Sequence, residues 1–174
     1  MGAFYTNLIL FGVTSSEVVG ACRELRREAF VIATAGSKVV VFDEACDSQD
    51  TDEIESFGCA LSERLSCEIV GVLNHDDDHL LLWRFSVGEV AARYSSIVDG
   101  VSFSWSISRV SGGFLAYPFI AAVLSWPTFI FQTMRHSLLA RIAALPSCSV
   151  GFGHTYLSRG EIPPDTREDE IQKA

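Results

Sequence analysis

The sequence predicts an α+β fold: a ferredoxin-like β-α-β-β-α-β start, extended by an antiparallel meander and followed by a C-terminal helix pair. Three observations lead there. Runs rich in β-branched and aromatic residues at 4–11, 30–34 and 38–43 read as strands. Two segments with helical spacing of apolar residues, 14–29 and 51–65, alternate with them. Between 67 and 95, apolar stretches are interrupted only by short polar turns, the pattern of consecutive antiparallel strands.

The first strand, FYTNLILF, closes at Gly12. Thr14 followed by Glu17 is a capping box for the first helix. Val18, Cys22, Leu25 and Ala29 repeat at helical spacing and form its apolar face. Residues 30–34 and 38–43 flank Ala35-Gly36-Ser37 and read as a hairpin. The second helix begins near Thr51, with Ile54, Phe57, Leu61 and Leu65 on one face. Asp52, Glu53 and Glu55 in its first turn suit the positive end of the helix dipole. Strands at 67–74, 79–86 and 89–95 follow, the first two joined through NHDDD and the last two through Val87-Gly88. Helices at 114–124 and 128–145 form the C-terminal pair, and 150–158 reads as a last short strand or irregular segment. The expected sheet is mostly antiparallel, with the first two helices on one face. Residues 1–162 read as a single domain, and 163–174 as a charged tail expected to fray.

Composition narrows the function classes. Hydrophobic residues make up 48% of the chain and charged residues 20%, enough apolar material for a packed core. A net charge of −9 repels phosphate backbones, so no nucleic-acid partner is expected. The five cysteines are odd in number and form no CxxC, which fits reduced thiols in a cytoplasmic protein better than a disulfide framework. The N-terminus lacks a basic region followed by an apolar run and a cleavage site. Residues 110–134 carry no charge, but Pro118 and Pro127 break the run, so two buried helices are expected there and no membrane partner.

Tyr5-Thr6-Asn7-Leu8 with Gly12, the string Leu73-Asn74-His75-Asp76-Asp77-Asp78, Arg135-His136, and Gly151-Phe152-Gly153 followed by Tyr156 and Gly160-Glu161 are spread over nearly the whole chain. On these residues the chain resembles a family of uncharacterised bacterial proteins, and LNHDDD is the most specific part of the likeness. The stretch 97–119 departs from the family's pattern: a serine-aromatic segment stands where an acidic, glycine-rich loop is expected. The resemblance implies a bacterial, soluble α+β protein and no mechanism.

The densest set of polar, potentially ligating side chains is Asn74, His75, Asp76, Asp77, Asp78 and His79. As a structural element it is a solvated acidic turn, because Asp and Asn bond their own backbone there. As a functional element it is a divalent-cation site, with Asp43 or Glu44 from another loop as a further ligand. The spacing matches neither an EF-hand loop nor HExxH. His136 is a further candidate binding residue, and more simply a histidine packed against the sheet. Gly151-Phe152-Gly153-His154 does not open a helix after a strand and fails the test for a phosphate cradle. No nucleophile motif occurs, and no catalytic residue is assigned. The expected function is a non-catalytic binding protein of immunity or regulatory type, with a basic protein as partner and no cofactor. The rival reading is a metal-dependent hydrolase built on His75, Asp76, Asp78 and His79.

Overall fold

The computed structural model describes residues 4–34, 36–76, 79–95 and 146–174. The expected helix pair at 114–124 and 128–145, the segment 97–109, the broken apolar run 110–134 and His136 lie outside the described residues.

The sheet has seven strands, all pairings antiparallel: β1 (Tyr5–Phe11), β2 (Ala29–Thr34), β3 (Lys38–Asp43), β4 (Glu68–His75), β5 (His79–Ser86), β6 (Glu89–Ser95) and β7 (Ile171–Lys173). Their spatial order is β6-β5-β4-β1-β3-β2-β7. Helix α1 (Ser15–Glu24) connects β1 to β2, and α2 (Thr51–Leu65) connects β3 to β4. The chain is thus of mixed α+β class with an antiparallel sheet, as the sequence predicts.

Alternation along the strands divides the core into two layers. Leu8, Leu10, Val31, Val41, Ile69 and Phe85 pack with Val18, Cys22, Ile54, Phe57 and Leu61 of the two helices. Ile9, Ile32, Val40, Phe42 and Val72 point to the opposite face, where Cys148 and Leu157 join them. Both helices therefore cover the same face. Helix α1 starts as its sequence dictates: the Thr14 side chain accepts from Glu17 N, and Glu17 Oε2 accepts from Thr14 N at 2.8 Å. Helix α2 starts at Asp50, whose carboxylate accepts from Asp52 N at 2.9 Å.

Two expectations are corrected near the C-terminus. Residues 150–158 hold no strand; His154–Ser158 form a short helix, α3. It is anchored from outside, because Asp47 Oδ2 accepts from Thr155 N at 2.9 Å and from the Thr155 hydroxyl. The tail does not fray at its end. Ile171–Lys173 pair with β2 as an edge strand, Lys173 Nζ lies 2.8 Å from Glu28 Oε1, and Ala174 N donates to Ala29 O at 2.9 Å. Among the described residues, no helix is long and apolar enough to cross a membrane.

Candidate functional site

Strands β4 and β5 pair from Glu68↔Ser86 to His75↔His79, and Asp76 is the turn residue that follows β4. Asp76 adopts φ 54, a left-handed conformation that Asp tolerates better than most residues. Asp77 and Asp78 lie outside the described residues. Asn74 is fully buried and opposite Tyr5 in register, whereas its neighbours His75 and Asp76 are exposed. Alternation places His75 and His79 on the helix-bearing face, in line with Leu73 and Leu81, which pack against that layer. Phe4 meets His75 edge-on with ring centroids 4.8 Å apart. His79 Nε2 lies 3.1 Å from Ser95 Oγ. Burial, and then the neighbouring His75, holds the His79 imidazole below its ordinary pKa.

The loop between β3 and α2 meets this turn. It begins at Asp43, which is buried and grips Arg27: Arg27 Nε donates to Oδ2 at 2.9 Å and Nη2 to Oδ1 at 2.5 Å. The same Oδ1 accepts from Cys46 N at 2.9 Å, which curls residues Cys46–Ser48 into a 3-10 turn. Arg27 also pairs with Glu53 and lies over the Phe57 ring at 4.4 Å, locking the loop to both helices. At the end of the 3-10 turn Gln49 takes φ 64 and directs its amide at β4. Gln49 Nε2 donates to Asn74 O at 2.8 Å, and Gln49 Oε1 lies 2.5 Å from His75 Nδ1.

The consequence is that an acidic segment is tied to the acidic end of β4. Glu44 and Asp50 on the loop, Asp52 in the first turn of α2 and Asp76 on the turn are all exposed, and Gln49 joins the two segments. Of the sequence candidates, Asn74, His75, Asp76 and His79 come together here, though Asn74 contributes through its backbone and not through an accessible side chain. Asp43 is corrected as a possible cation ligand, since Arg27 occupies its carboxylate. Among the described residues, no group of three or more His, Cys, Asp or Glu side chains is placed to hold a metal ion. Sequence reasoning misses Gln49 and Asp47. Their partners are far along the chain, and no local pattern announces such bonds.

The described thiols are not poised for nucleophilic chemistry. Burial raises Cys22 to about 12, and Cys67 and Cys148 to about 11, and it pushes Cys46 and Cys59 upward as well. Comparison with protein-family models, with curated proteins and with solved structures finds no match.

Proposed function

We propose that this chain is a non-catalytic binding protein, of immunity or regulatory type, whose acidic end at the β4–β5 turn receives a basic protein partner. The observation that carries the reading is the Gln49 bracket, which ties the segment bearing the exposed Glu44, Asp50 and Asp52 to the turn bearing the exposed Asp76. Arg27, Arg64, Arg84, Arg93, Arg167 and Lys173 are all engaged by carboxylates of the chain itself, so much of its positive charge is already answered. A surface of one sign, backed by a rigid hairpin, favours fast association with an oppositely charged protein. Raised thiol pKa values fit a protein that keeps its cysteines protonated in a reducing cytoplasm.

The strand order β4-β1-β3-β2, with α1 and α2 on one face, supports reading the first six elements as a ferredoxin-like core. The LNHDDD likeness to a bacterial family belongs to the same reading. Affinity capture from a bacterial lysate tests the function. Wild type is compared with a variant carrying Glu44→Gln, Asp50→Asn, Asp52→Asn and Asp76→Asn. Asn at position 50 still caps α2, so the fold is kept. Wild type is expected to retain a basic protein that elutes with salt, and the variant to lose it. Equal capture by both baits contradicts the reading.

A further inference from the structure

The Gln49 amide fixes the protonation of His75. The Asn74 carbonyl oxygen can only accept, so the Gln49 atom 2.8 Å from it is the nitrogen. The other amide atom, 2.5 Å from His75 Nδ1, is therefore the oxygen, and it too can only accept. Nδ1 must carry the proton. A neutral His75 then has its lone pair on Nε2, and among the described residues that atom has no hydrogen-bond partner. An acceptor behind one ring nitrogen with the other left bare is how outer-shell groups orient metal-ligating histidines.

Directly across the ladder stands His79. Opposed residues of an antiparallel pair share a face, with Cβ atoms about 5 Å apart, a span that one metal ion can bridge. Ser95 Oγ meets His79 at Nε2, and Nδ1 has no partner among the described residues. We infer that His75, through Nε2, and His79 form a two-histidine site for a borderline divalent transition-metal ion such as Zn²⁺ or Ni²⁺, with water filling the remaining positions. Imidazole donors do not suit Mg²⁺ or Ca²⁺, which prefer oxygen. The site is independent of the protein partner proposed above, since it uses the imidazoles and not the exposed carboxylates.

The test uses the full chain with Cys59→Ser and Cys67→Ser, which remove the half-exposed thiols. Long-range ¹H–¹⁵N NMR reads the histidine tautomers at pH 7.5, and Zn²⁺ is then added while calorimetry gives the affinity. Expected are an Nδ1–H tautomer for His75 in the metal-free protein and a Zn²⁺-induced shift at its Nε2. Binding should weaken at least about tenfold in His75→Ala and in His79→Ala. Gln49→Ala, which leaves both imidazoles in place, should also weaken binding about tenfold and release the His75 tautomer. An Nε2–H tautomer in the metal-free protein, or Zn²⁺ affinity unchanged in the His75→Ala/His79→Ala double variant, overturns the assignment.

Discussion

Gly58 of α2 lies so close to Phe85 of β5 that a Cβ built on the glycine would stand 2.5 Å from the ring's Cε2 and Cζ. Phe85 is fully buried, so the ring has no free space to move into. In most helices Gly→Ala gains about 1 kcal/mol. Here overlap reverses the sign, and Gly58→Ala is expected to destabilise the fold by about 2 kcal/mol in urea unfolding. Phe85→Leu made on the Gly58→Ala background should recover part of that loss.

Arg27 and Asp43 make the main polar junction of the core side. Asp43→Asn leaves a largely buried guanidinium without its bidentate partner, and a loss of roughly 3 kcal/mol is expected. Arg27→Met combined with Asp43→Asn should cost clearly less than the sum of the single changes, because the buried charge that lost its bidentate partner is gone and only the half-exposed Glu53 is left unpaired. A double-mutant cycle by chemical denaturation measures the difference.

Stability should fall as the pH drops through the histidine range. His79 has a folded-state pKa below its ordinary 6.5, so the unfolded chain takes up the proton first. Its contribution is complete above the unfolded pKa and is lost as the pH falls through the folded one. Urea midpoints measured from pH 7.5 down to 5 should decline for wild type, and His79→Gln should flatten that slope.

Gln49 combines two costs that substitutions can separate. Its side chain bonds Asn74 O and His75, and its backbone sits at φ 64. Gln49→Ala loses the bonds and keeps the strained conformation; Gln49→Gly loses the bonds but occupies that φ freely. Both should lower stability, with Gly the milder by about 1 kcal/mol in thermal unfolding followed at fixed pH.

Local chemistry made the first half of the fold legible. The Thr14/Glu17 capping box, the β4–β5 hairpin through the acidic turn and the turn at Val87-Gly88 follow from residues close in sequence. The rest depends on contacts between distant residues. Strand β7 exists because Ile171, Lys173 and Ala174 meet β2 and its flank across most of the chain, and nothing in a charged tail signals that docking. Helix α3 is likewise held by Asp47, far upstream. The turn itself was visible as a polar cluster, but its bracket was not. Gln49 looks like an ordinary loop residue until the Arg27–Asp43 lock places it beside His75.

Zero-length carbodiimide crosslinking of the captured complex, read by mass spectrometry, tests most directly whether the acidic end is the binding surface, because it joins carboxylates to lysines of a partner only where the two touch. Crosslinks from Glu44, Asp50, Asp52 or Asp76 to partner lysines are the expected result. Crosslinks confined to Glu63 and Glu89, beside the β5–β6 turn at the other end of the strands, would contradict it.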